Sequence, residues 1–405
     1  MNRLETLWTE LCARTDYETC SRPRAARFRL DTMEGLVERL ENVHWSLPVL
    51  HVAGSKGKGS VCHYLAKGMA AAGLKVGLYS SPHLSDWRER LTINGAFAPD
   101  DALADAIQKV LAASAGDETF FDLLTATALV LFRDEGCDIM VLETGLGGRS
   151  DSTNVVQPLA AVITSIELEH VDVLGDNLAA IAGEKGGILK RDALLFTGAG
   201  IAAEAMEVLE QCAAEVDGAL KSAPPLQPGF SHVLPHMESN LALATTVLRN
   251  LPRPFAAGAD ILPSLPESAL QLPGRWEHRR LADGRIVIFD IAHSTDSLTA
   301  VLRAFRESFP EQERGVVLAL RDDKDHVGLG TALRANLGPR LAKESWWTAP
   351  AGDHPRSADP ATIAPSFDAI PLPKVQFPEG PEVLLITGST YLVGALRPQT
   401  QAWMS

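Results

Sequence analysis

Three glycines, two lysines and two serines make up "GSKGKGS", Gly54 to Ser60, directly after the apolar run Val49–Ala53 and before a segment rich in helix formers. Backbone amides at Gly54, Gly57 and Gly59 can curl around an anion at a helix N-terminus, because glycine adopts the needed conformations without a Cβ clash. Lys58 would then reach terminal phosphates and Ser60 would offer a hydroxyl to Mg²⁺. Strict Walker A spacing is not met, since Gly59 separates Lys58 from Ser60, and an ordinary glycine-rich turn is the alternative. Farther on, Glu143 closes the apolar "DIMVLE" and opens the loop "TGLGGRSDSTN". A carboxylate at such a strand end, beside a phosphate loop, can hold Mg²⁺ directly or through water. A solvated strand-end acid is the competing reading. His170 falls just beyond another apolar run, and Lys185 in a helix-like segment, where each could equally be structural.

These residues need a scaffold that brings strand ends together. Short β-branched runs, "VLHVA", "KVGLYS", "DIMVLET", "AAVITSI" and "ALLFTGA", alternate with segments long enough for crossover helices. That rhythm predicts a parallel sheet covered by helices on both faces, with ligand sites at the carboxyl ends of its strands. "HYLAKGMAAAGLK" predicts a helix stopping near Gly73. Between about Gly200 and Pro273 the rhythm weakens, and "PRPFAAGADILPSLPESALQLPGR" predicts a linker from its proline and glycine. Strand signals resume at "RIVIFDIA", "GVVLAL", "ESWWTA" and "VLLITGS". The expected fold is therefore α/β, with a phosphate-loop parallel-sheet N-terminal domain and a smaller α/β C-terminal domain.

Composition narrows the function classes. A length of 405 residues favours two domains, and 46% hydrophobic with 22% charged residues is ordinary for a globular chain. A net charge of -14 argues against a nucleic-acid partner, which needs clustered Lys and Arg. The first residues carry acids and no basic n-region, and no apolar run reaches membrane-spanning length. A cytoplasmic chain that neither enters a membrane nor binds nucleic acid is expected. Five scattered cysteines, Cys12, Cys20, Cys62, Cys137 and Cys212, show no metal spacing and read as packed or incidental thiols.

Taken in order, "HVAGSKGKGS", "SSPHLSDWRERLTING", "VLETGLGGRSDSTNVV", "ITSIELEHVDVLGD" and "AGEKGGILK" resemble the folylpolyglutamate synthase and dihydrofolate synthase family of Mur-type amide ligases. The resemblance resumes at "LPGRWE", "DIAHSTDS" and "LLITGSTYLVG". It implies an ATP-binding domain over residues 1–270 and a Rossmann-like C-terminal domain over 274–405. The implied reaction takes the γ-phosphoryl group of ATP onto a pterin or folate acid and lets L-glutamate displace phosphate. ATP and Mg²⁺ are the implied cofactors, and a monomer is expected.

The roles below also come from the resemblance. Lys58 and the Gly54–Ser60 backbone hold phosphates, while Ser60, Ser81, Glu143 and His170 surround Mg²⁺. Lys185 matches a lysine that family members carbamylate into an anionic metal ligand. Asn240 matches an asparagine near the adenine, although the preceding His-Gln pair reads His236, Met237, Glu238 here. Arg275 matches an arginine that reaches the phosphates across an interdomain cleft. Asp290 and His293 match the acid and histidine of DGAHNP, with roles in nucleotide and amino-acid placement. That motif departs from its pattern at Ile291, Ser294 and Thr295 and approaches the "AHTPD" of muramyl peptide ligases, which loosens the identity of the amino acid. The competing readings are a ligase for another acid or amino acid, a phosphate-loop ATPase or kinase making no amide, and a nucleotide-binding protein without catalysis.

Overall fold

The computed structural model describes residues 2–16, 30–224, 234–338, 343–352 and 356–402. Two compact units divide them. The first runs to Ser264, apart from Leu84–Trp87 and a short stretch before His236, and the second takes Leu265 onward together with Leu84–Trp87.

The first unit is built on eight strands: β1 (Val49–Ala53), β2 (Val76–Tyr79), β3 (Leu91–Ile93), β4 (Ala96–Phe97), β5 (Ile139–Glu143), β6 (Ala160–Ile163), β7 (Leu194–Thr197) and β8 (Leu220–Ser222). Their order is β4-β3-β2-β5-β1-β6-β7-β8. The run from β2 to β8 is parallel, and β3 and β4 add an antiparallel edge. Every residue of β1, β2, β5 and β6 is buried, which is why these strands read as unbroken apolar runs instead of alternating ones. The sequence reading missed the β3–β4 hairpin. Its turn is Asn94-Gly95, both at positive φ, the residue pair that a tight hairpin turn demands.

The phosphate-loop helix spans Lys58–Ala71 and ends just before Gly73, whose φ is 92°. Part of the expected linker is in fact packed structure. It contains the helical turns Gly258–Ile261 and Glu267–Leu270, and a Cβ added at Gly258 would lie 2.5 Å from the backbone of Gly68 on the phosphate-loop helix. Two glycines facing each other let that segment lie directly on the helix.

The second unit carries β9 (Glu277–Arg280), β10 (Ile286–Phe289), β11 (Arg314–Leu318), β12 (Glu344–Thr348), β13 (Ile370–Pro371), β14 (Val383–Thr387) and β15 (Gln401–Ala402) in the order β13-β12-β11-β14-β10-β9-β15. The strands from β13 to β10 are parallel, with β9 antiparallel beside β10. Val287, Phe289, Val317, Leu384 and Ile386 form part of its core. Cys62 and Cys137 are buried free thiols, Cys12 is exposed, and Cys20 lies outside the described residues.

Candidate active site

In the first sheet β1 lies between β5 and β6, so the loops leaving three neighbouring strand ends meet. The loop after β1 is Gly54–Gly57. Gly54 has φ 149°, and a Cβ there would fall 1.9 Å from Thr164 Oγ1; at Gly57, φ 85°, it would fall 2.5 Å from Asn240 Oδ1. Neither position accepts a side chain, and Asn240, on the helix Pro235–Asn250, stands against the phosphate loop. The chain beyond β6 braces the other side of the loop. Ser55 N–H donates to Ser165 O (2.9 Å), Lys56 N–H to Ser165 Oγ (2.9 Å) and Thr164 Oγ1 to Lys56 O (2.6 Å).

Two ammonium groups converge at the base of this loop. Lys58 Nζ and Lys185 Nζ donate to the same carbonyl, Gly54 O, at 3.0 and 2.9 Å. Lys185, on the helix Leu178–Gly186, is almost fully buried and also pairs with Glu169 Oε1 at 2.8 Å. Burial above all, then the Lys58 cation, lowers the Lys185 pKa, and Glu169 opposes the shift. Concentrated positive charge beside helix amides is a setting for a polyphosphate.

Glu143 ends β5 as a buried carboxylate. Its Oε2 accepts the Ser81 N–H at 3.0 Å, and a Cβ at Gly59 would lie 3.4 Å from it, so the acid faces the first turn of the phosphate-loop helix. Ser60 is buried in that turn, 3.9 Å from Met237 Sδ. No group of three or more His, Cys, Asp or Glu side chains that could hold a metal forms among the described residues. A lone buried carboxylate and a hydroxyl fit Mg²⁺, which keeps waters and takes further oxygens from substrate phosphates. His170 is exposed and precedes the helical turn Val171–Leu174 at φ 45°.

One buried network went unread in the sequence. Asp151 accepts the N–H of Thr153 (3.0 Å), the hydroxyl of Thr153 (2.5 Å) and the N–H of Leu146 (2.9 Å), and Thr153 Oγ1 lies 2.8 Å from His51 Nε2. The loop it organises also touches the Lys185 helix: Arg149 N–H donates to Glu184 O at 2.8 Å, and Asn154 Nδ2 to Gly187 O at 3.2 Å. Asp and Thr two residues apart after a glycine-rich run are the signal that could have marked it.

The second unit holds the remaining candidates. Asp290 is buried, and its two oxygens accept the N–H groups of Trp276 and Ala292, each at 2.9 Å, so the acid fixes both the turn after Arg275 and the chain toward His293. Burial raises its pKa, against the nearby Arg275 charge. His293 is exposed, with Nδ1 3.1 Å from Ile291 O. The motif's departures have local causes. Ile291 packs against the core beside Gly274, and Ser294 N-caps the helix Thr295–Ser308 in a reciprocal box with Ser297.

A phosphate loop on a parallel sheet, with an acid on the next strand end and a second α/β unit, defines the class of Mur-type ligases. Residues 52–194 match the Mur ligase middle domain, and residues 274–385 match the Mur ligase glutamate ligase domain. The chain is 33% identical over 330 residues to the dihydrofolate synthase/folylpolyglutamate synthase of Escherichia coli, covering 76% of this chain and 74% of that protein. It is 29% identical to a probable bifunctional folylpolyglutamate synthase/dihydropteroate synthase of Haloferax volcanii, covering 91% of this chain but about half, 48%, of that protein. Among solved structures, an E. coli enzyme in complex with DHPP and ADP superposes with a TM-score of 0.77 at 26% identity, covering 98% and 97% of the two chains. A Yersinia pestis folylpolyglutamate synthase/dihydrofolate synthase with AMPPNP and Mn ion gives 0.79 at 25% identity, covering 98% of each. The chain belongs to the folylpolyglutamate synthase/dihydrofolate synthase family.

Proposed function

We propose that this chain is an ATP-dependent ligase that joins L-glutamate to a pterin-type acid, dihydropteroate or the glutamyl tail of a folate, through an acyl phosphate. The observation that carries this reading is the meeting of Lys58 and Lys185 on Gly54 O at a phosphate loop whose helix faces the Glu143 carboxylate.

A carboxylate is a poor electrophile, so the acid must first gain a leaving group. One of its oxygens attacks the γ-phosphorus of ATP, the bond to the bridging oxygen breaks, and ADP departs. The glutamate nitrogen then attacks the acyl carbon, the carbon–oxygen bond to phosphate breaks, and the amine proton leaves with phosphate or solvent. Little covalent work falls to the protein, which positions the reactants and neutralises charge. Lys58 and the amides of Gly57 to Ser60 would hold the phosphates, and Asn240, which stands against Gly57, is assigned to the nucleotide. A divalent cation held by Glu143 and Ser60 would neutralise phosphate charge, with Ser81, whose N–H donates to Glu143, and His170 assigned to the same set. Lys185 would join this set as a carbamate, and its lowered pKa favours the neutral amine that such a modification consumes. Arg275 is assigned to the phosphates, and Asp290 and His293 to the ordering of the nucleotide and amino-acid sites. The enzyme acts as a cytoplasmic monomer on small molecules; a net charge of -14 suits no nucleic acid, and no described helix is long and apolar enough to cross a membrane.

The test is ADP release with dihydropteroate, ATP and Mg²⁺, with and without glutamate. Release that requires both acid and amino acid, with a product heavier by one glutamyl residue, is expected; equal release without the amino acid would refute ligation.

A further inference from the structure

We propose that His51 is a positioning residue for the ligase reaction, acting through Thr153 and Asp151 to hold the Gly145–Thr153 loop between the Glu143 strand end and the Lys185 helix. This inference rests on the ligase reading above.

The direction of the network follows from proton counting. Burial raises the Asp151 pKa, but its hydrogen bonds oppose the shift, and both oxygens already accept backbone N–H groups, Oδ1 from Thr153 and Oδ2 from Leu146. The carboxylate acts as acceptor, and the single hydroxyl proton of Thr153 goes to it at 2.5 Å. Thr153 Oγ1 then has only lone pairs to offer, and His51 Nε2 must donate across the 2.8 Å contact. The histidine is therefore neutral with its proton on Nε2. His51 Nδ1 is buried and lacks a partner, which leaves a second proton with nowhere to donate. Burial pushes the His51 pKa down to about 3, in agreement.

The placement gives this neutral donor a purpose. His51 sits on β1 three residues before Gly54, whose carbonyl receives both lysines, and its strand partners are Leu142 on β5 and Ala161 on β6. Asp151 holds the N–H of Leu146, three residues beyond Glu143. The same loop grips the Lys185 helix through Arg149 N–H, and Asn154, the next residue after it, donates to Gly187 O at the helix C-terminus. His51 thus connects the strand that leads into the phosphate loop to the loop that spaces the acid from the buried lysine. Outer partners that orient metal ligands are worth about 10- to 100-fold in metal affinity or activity, and this loop begins beside Glu143, a proposed ligand.

The experiment compares His51→Leu, His51→Gln, Thr153→Val and the double His51→Leu/Thr153→Val variant in the full chain, measuring kcat, ATP affinity and Tm. His51→Leu removes the donor, while the Gln amide can present one near the place of Nε2. Expected are a kcat loss on the order of 10-fold or more in His51→Leu with ATP affinity kept within about threefold, substantial recovery in His51→Gln, and a double variant no worse than either single one. Nitrogen NMR of the wild-type imidazole gives a readout independent of activity, and a neutral ring protonated at Nε2 is expected. An Nδ1 proton, additive losses in the double variant, or a fall in Tm with unchanged kcat would each overturn the proposal. A wild type with no glutamate-dependent ADP release would instead sink the ligase reading, while the NMR result would still judge the network.

Discussion

Lys58 contributes its charge where Gly54 O already gathers a second ammonium, so its removal should act on the reacting phosphate more than on the fold. Lys58→Ala leaves the backbone cradle intact and is expected to lower kcat by about 10²-fold or more, the scale set by losing one preorganised contact to developing charge. Steady-state kinetics beside a thermal melt checks this, and near-wild-type turnover would show that the loop does not hold the reacting nucleotide. The glycine loop was legible from residue types alone, because positive φ and close approach demand glycine at Gly54 and Gly57. Asn240 against Gly57 and Glu169 against Lys185 were not legible as contacts, since neither pair is close in sequence.

At the scale of elements, β1 does more than carry the loop. His51 is fully buried and neutral, so the folded chain refuses a proton that the unfolded chain accepts below its ordinary value of about 6.5. The unfolded state therefore binds more protons between about pH 6.5 and pH 3, and stability is lost as pH falls through that window, by up to about 1.4 kcal/mol per pH unit from this residue. Denaturant melts of the wild type and His51→Gln across pH 7 to 4.5 should show the variant losing less stability on acidification, in the window set by the ordinary and shifted values. Parallel slopes would mean that His51 does not carry the effect. The central strands were readable because burial on both faces leaves continuous apolar runs, as in "IMVLE" and "AAVI". Edge strands such as Leu220–Ser222 and Ile370–Pro371 were not, because short exposed segments carry no such run. The expected linker misled for a related reason: its glycines serve close packing at Gly258 and not only flexibility.

For the whole molecule, the residue of the second unit proposed to act on the phosphates is Arg275. Arg275 lies in the second, one residue after Gly274 and within reach of the Asp290 charge. Arg275→Ala is expected to lower kcat much more than it weakens ATP binding, and Arg275→Lys should restore only part, since an ammonium lacks the planar fork. Nucleotide affinity measured beside turnover checks this; equal loss of both, or loss of neither, would remove Arg275 from the reaction. The central claim, that ATP activates the acid as an acyl phosphate, is tested most directly by following the carboxylate oxygen. With dihydropteroate labelled by a heavy isotope at both carboxylate oxygens, one labelled atom is predicted to appear in each phosphate released as glutamate is joined, the other staying in the amide. Phosphate free of label, formed at the same rate as the amide, would contradict the account.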